Sequence, residues 1–167
     1  MKRKIHAPET CRGRQADSFG NISESRELLG RALSKRSLLC VVDDRSFKSE
    51  RYMLKSVVFR DADASGDSRV IPYSEFYNGR LPPADVLLLR SSRIFAHRLP
   101  QLKGVLGDFR RENPKSAVLL CVFGEHEVNA ALGLAEQGLV NVVYDDPPND
   151  FALLHKAATV LERLASD

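Results

Sequence analysis

The chain predicts an α/β domain built on a doubly wound, mostly parallel sheet, and three features of its 167 residues point there. Short continuous apolar runs recur at 38–42, 86–89 and 117–123, and a fourth, broken only by Asn141, lies at 139–144; strands covered on both faces read this way. Stretches of helical period lie between them. Pro82, Pro83, Pro114 and Gly138 punctuate the boundaries. Strands that alternate with helices pair in parallel through crossover connections.

The first 20 residues hold few apolar side chains and no period, so they read as disordered. Asn21 can cap a helix, with Glu24 as its capping-box partner. Ile22, Leu28, Leu29, Ala32 and Leu33 then share one face, and Lys35 and Arg36 suit a helix C-terminus. That stripe must be buried on its own domain or on a second copy. Residues 1–36 are thus expected to form a basic extension and 37–167 the folded domain.

The first strand is 38–42. The spacing predicts a helix over 46–59, with Phe47, Tyr52, Leu54, Val57 and Val58 inward, then a polar loop over 61–68. A weak strand is expected at 69–73, and one or two helical turns at 74–79 before Pro82 and Pro83 stop them. The second strong strand is 86–89. A helix follows over 94–113, with Pro100 opening its main part and Pro114 just beyond it. After the strand at 117–123 comes a helix at 127–137, with Gly138 as its C-cap. The strand at 139–144 leads into a final helix at 150–165, whose Phe151, Leu154, Ala158, Leu161 and Leu164 are spaced for a buried stripe.

Hydrophobic residues make up 43% and charged residues 28%, ordinary values for a soluble globular chain. No apolar run approaches the roughly 20 residues that span a bilayer. The basic start is not followed by the apolar core of a signal peptide. A cytoplasmic protein without membrane contact is the expectation. Cys11, Cys40 and Cys121 are too few and too scattered for a disulfide framework or a zinc site. The net charge of +3 is uneven: residues 1–36 hold nine Lys/Arg against four Asp/Glu, and the remainder sixteen against eighteen. A basic arm can hold nucleic acid or an acidic partner; a solvated leader is the plainer reading.

Two strand ends carry the chemistry. The first strand runs L-L-C-V-V and ends in Asp43 and Asp44, while D-V-L-L-L-R over 85–90 ends in Arg90. Ligands of open α/β sheets collect outside the carboxyl ends of strands. From about Leu38 to Leu164 the chain resembles the receiver domains of two-component response regulators. The acid pair is one marker. The other is the order, from Arg110 to Val143, of helix end, proline, strand, loop, small-residue helix, glycine and last strand. The resemblance implies a flavodoxin-like fold with strand order 2-1-3-4-5.

In that family two acids after the first strand help to hold Mg²⁺, and Asp43 and Asp44 match them. A third carboxylate, at the end of the third strand, accepts the phosphoryl group; Arg90 fills that place. A hydroxyl normally follows the fourth strand, where Val122 and Phe123 stand. A lysine normally follows the fifth, where Asp145 or Asp146 stands. The resemblance therefore implies a degenerate receiver, with Arg90 among Asp43, Asp44 and Asp145 as an internal ion cluster that takes the place of the metal. A plainer role for the acid pair is capping the following helix.

Other motifs are weaker. Asp61, Asp63, Ser65, Gly66 and Asp67 imitate half of a calcium loop, but its twelfth position is Pro72. No G-x-G-x-x-G follows the first strand and there is no P-loop. His6, His97, His126 and His155 lack metal-ligand spacing. Ser91 and Ser92, which follow Arg90, more simply satisfy local backbone. We expect no enzyme, metal or cofactor.

The function implied is bacterial signal transduction or transcriptional regulation through protein contacts. Homodimerisation is expected on a face containing Val128, Ala131, Leu132, Val142, Tyr144, Leu154, Ala158 and Leu161. DNA binding would need a further, C-terminal domain. The rivals are a stand-alone adaptor for another regulator or kinase, and a small-anion sensor at the Arg90 crevice.

Overall fold

The computed structural model describes residues 27, 30–33, 36–49, 51, 68–90, 96–122, 125–144 and 150–167. Five strands form one sheet: β1 (Leu38–Val42), β2 (Arg69–Pro72), β3 (Val86–Arg90), β4 (Ala117–Val122) and β5 (Asn141–Tyr144). Their order is β2-β1-β3-β4-β5, and every pairing is parallel. The sheet is therefore of the flavodoxin-like type that the sequence predicts.

Between the strands run α1 (Tyr73–Asn78), α2 (Leu99–Glu112) and α3 (Glu125–Glu136), and α4 (Asp150–Ser166) closes the chain. A single 3-10 turn, Ala96–Arg98, leads into α2, and Pro100 lies in the first turn of that helix. Proline suits that place, since its absent N–H would find no partner there. Helical residues also stand at 30–32, 47–49 and 51. The predicted helix over 46–59 and the acidic loop at 61–67 fall largely outside the described residues.

Strand periodicity divides the core. Leu38, Cys40, Val42, Val86, Leu88, Leu119, Cys121 and Val143 face one side with Ala157, Ala158 and Leu161 of α4. Leu39, Val41, Leu87, Leu89, Val118, Leu120 and Val122 face the other, under Phe76 of α1, Leu102, Leu106 and Phe109 of α2, and Ala131 and Leu134 of α3. Both faces are sealed, which is why β1, β4 and residues 86–89 of β3 read as unbroken apolar runs.

Ala32 and Leu33 are buried in the α4 side of the core. The end of the N-terminal extension thus packs on its own domain. Arg31 adds an exposed pair with Glu162 of α4 at 3.8 Å, a contact worth little in water.

The α4 stripe differs from the expected one. Ala157 joins Ala158 and Leu161 inside, while Leu164 is 38% exposed. Positions 157, 158 and 161 set the buried face, and the next turn, at 164 and 165, is exposed. Tyr73, expected in β2, instead opens α1.

Gly138 ends α3 with φ +70. Its N–H donates to the Ala135 carbonyl at 2.9 Å, and the Leu139 N–H to the Leu134 carbonyl at 3.0 Å. This is a Schellman ending, and its left-handed residue favours glycine.

Candidate functional site at the carboxyl ends of β1 and β3

Parallel pairing brings the two charged strand ends together. Val41 is in register with Leu89, so Arg90 lies one position beyond that pair and Asp43 two. Arg90 is in turn opposite Cys121 of β4. Val122, at the end of β4, is fully buried and offers only methyl groups.

The two acids engage backbone amides. Asp43 Oδ1 accepts from the Arg45 N–H at 2.8 Å, and the Asp43 carbonyl accepts from Ser46 Oγ at 3.5 Å. This closes the turn into the helical residues at 47–49 and is the capping role that the sequence allows. Asp44 acts across the fold: its Oδ2 accepts from the Ser74 N–H at 3.1 Å. The residue at the N-cap of α1 is Pro72, which makes no side-chain cap bond. Asp44 supplies the missing acceptor from the turn after β1, and its charge suits a helix N-terminus.

Tyr73, beside Ser74, binds the other strand end. Its hydroxyl donates to the Arg90 carbonyl at 2.7 Å. The first two residues of α1 therefore tie the end of β1 to the end of β3. Tyr73 is 3% exposed, and burial holds its phenol well above the usual tyrosine range, with the neighbouring charges of Tyr77 and Glu127 acting in the same direction. Its ring lies 5.9 Å from Phe76 and 5.7 Å from Tyr77. The Arg98 guanidinium sits 5.1 Å from the Tyr77 ring centre, a cation–π distance. Sequence reasoning missed this tyrosine, because only the tertiary fold brings it against Arg90.

No ion pair among the described residues joins Arg90 to Asp43 or Asp44. Phe123, Asp145 and Asp146 lie outside the described residues, as do Ser91 and Ser92. Of the side chains expected on a dimer face, Leu132 is exposed, while Val128 and Val142 are partly buried. Ala131, Ala158 and Leu161 are buried in the core and cannot form a surface; each lies on the inward side of its helix. The side chains of Tyr144 and Leu154 are outside what is described. Among the described residues no three metal-ligating side chains converge, and no helix is long and apolar enough to cross a membrane.

Two clefts lined by described residues lie elsewhere. One of about 600 Å³ opens at the amino ends of the strands, between Pro82, Pro83, Pro114, Arg69 and Lys115. Its polar lining mostly closes the sheet. Asp85 Oδ2 accepts from the Ser37 N–H at 2.7 Å and from Ser37 Oγ at 3.0 Å, and Ser37 Oγ accepts from the Asp85 N–H. A second cleft of about 530 Å³ lies between Gly79, Leu81, Val105 and Phe109. Neither touches Asp43, Asp44 or Arg90.

Arg110 is a further polar anchor that the sequence did not single out. Its Nε donates to the Leu139 carbonyl at 3.2 Å and a terminal nitrogen donates to the Ser116 carbonyl at 2.6 Å. Burial lowers its pKa from the usual arginine value.

The sheet order and its helices define a flavodoxin-like α/β domain. No family model, curated protein or solved structure matches the chain.

Proposed function

We propose that this chain is an atypical, receiver-like domain that works in signal transduction or transcriptional regulation through protein contacts, independently of phosphorylation. One observation carries the reading. In a parallel sheet of order β2-β1-β3-β4-β5, the end of β3 beside the acid pair holds Arg90. An acyl phosphate needs a carboxylate there, and a guanidinium cannot form one. A fixed positive charge also disfavours a divalent cation in the same space. The engagement of Asp43 and Asp44 with backbone amides agrees with a structural use of the acid pair. Output would then come from self-association through the surface of α3, β5 and α4, where Leu132 and Leu164 are exposed.

The test is incubation of the full chain with a small phosphodonor and Mg²⁺, followed by intact-mass measurement. An unchanged mass is expected. A stable phosphoryl adduct on an aspartate would overturn the proposal. Sedimentation across a concentration series reads the second part: a reversible dimer supports it, and a monomer at every concentration removes self-association as the output.

A further inference from the structure

We propose that the cleft at the amino ends of the strands binds a small two-headed anion, with Arg69 and Lys115 as its two charged contacts. The site lies at the opposite end of the sheet from Asp43 and Arg90, and it goes beyond the receiver reading. The cleft holds about 600 Å³, inside the range of about 300–1,000 Å³ usual for small-molecule sites.

The chemistry of the ligand follows from what the lining leaves unused. Most of its polar side chains are engaged within the fold. Asp85, the single acid of the lining, turns Oδ2 to the N–H and the hydroxyl of Ser37. Ser116 Oγ donates to the Ala84 carbonyl, and Asn113 Nδ2 to the Phe109 carbonyl. Pro82, Pro83 and Pro114 have no backbone N–H to offer. Arg69 and Lys115 remain. Both are exposed, and neither has a hydrogen bond or ion pair among the described residues. An arginine presents paired donors to a carboxylate or phosphate, and a lysine presents a point charge.

The second cleft shows the contrast. Its two cations are answered by acids, Arg80 by Glu112 at 3.3 Å and Arg111 by Asp108 at 2.6 Å. Charge is balanced there. The first cleft sets two cations against one carboxylate.

Topology sets the spacing of the two cations. Arg69 opens β2, and Lys115 stands two residues before β4. In the order β2-β1-β3-β4 their strands are three spacings apart, about 14 Å at roughly 4.8 Å each. Asp85 directly precedes β3, between them, and its charge disfavours an anion at the middle of the cleft. A ligand with an acidic group at each end and an apolar linker suits this layout. The prolyl rings and Ala84 supply the apolar wall for that linker.

Suberate, an eight-carbon dicarboxylate, is the first probe, and octanoate is its one-headed control. In ¹H–¹⁵N spectra of the full chain, suberate should shift the amides of Ser37, Arg69, Asp85, Lys115 and Ser116 to saturation. The amides of Arg80 and Arg111 should stay in place. Arg69→Gln and Lys115→Gln change exposed side chains, and the same spectra show that each variant is folded. Each should weaken suberate about tenfold, and octanoate should bind the unaltered chain about tenfold more weakly than suberate does. Hexane-1,6-diol bisphosphate gives the last arm: tighter binding than suberate assigns phosphate heads to the ligand, and weaker binding assigns carboxylates. No saturable shift at these amides with either dianion would overturn the proposal. So would equal shifts at Arg80 and Arg111, or octanoate binding as tightly as suberate. This readout uses neither phosphodonor nor sedimentation, so its failure is distinct from failure of the receiver reading.

Discussion

Removing one oxygen tests the tie between the two strand ends. Tyr73→Phe keeps the ring against Phe76 and Tyr77 and deletes only the hydroxyl that donates to the Arg90 carbonyl at 2.7 Å. A buried neutral hydrogen bond contributes about 0.5–1.5 kcal/mol net, and a carbonyl left unpaired adds to the cost. Phenylalanine recovers part of this by not burying a hydroxyl. A destabilisation of about 1 kcal/mol results. For the folded region this corresponds to a fall in melting temperature of about 3–4 °C. The chain has no tryptophan, so urea unfolding followed by far-ultraviolet circular dichroism is the suitable assay. The midpoint should fall while the slope stays unchanged. Tyr73→Ala, which also empties the ring site, should cost roughly 3–5 kcal/mol. If Tyr73→Phe left stability unchanged or raised it, the hydroxyl would not be holding Arg90, and the description of the site would be wrong.

The same tyrosine sets an alkaline limit. Burial raises the phenol pKa of Tyr73, and that of Tyr77 as well. The folded state therefore keeps protons that the unfolded chain releases above a pH of about 10. Stability should fall as pH rises through that region, and the fall should be shallower in Tyr73→Phe. Asp44→Ala removes the acceptor that caps α1 from β1 and should cost about 0.5–2 kcal/mol in the same urea assay. Arg110→Met keeps the aliphatic stem but strips donors from the Leu139 and Ser116 carbonyls; a loss of about 2–3 kcal/mol is expected, and an unchanged midpoint would show that water replaces those bonds. Leu102→Ala opens a cavity at a fully buried position under the sheet and should cost about 2–5 kcal/mol.

Much of the fold was legible because each element satisfies a local rule. The first strand is observed at the limits its apolar run indicates, and Gly138 ends α3 in the left-handed conformation that a C-cap requires. The boundary at Tyr73 was misplaced. Tyrosine suits a strand by propensity, whereas its actual place goes with the Arg90 carbonyl that its hydroxyl binds and with the Asp44 carboxylate that caps the next residue, Ser74. Three residues expected on the dimer face were placed on the wrong side of their helices for a similar reason. Ala131, Ala158 and Leu161 are apolar helix residues, and spacing alone does not say whether a stripe meets the sheet or another chain.

The amino-acid order by itself determined the layer architecture, the sealed strands and the residue types at the ends of β1 and β3, since periodicity and side-chain chemistry are local properties. Tertiary structure decided what those residues touch. Asp44 lies 30 positions from Ser74, and Tyr73 lies 17 from Arg90. Contacts of that separation follow from strand order and register, which no single segment of the chain encodes.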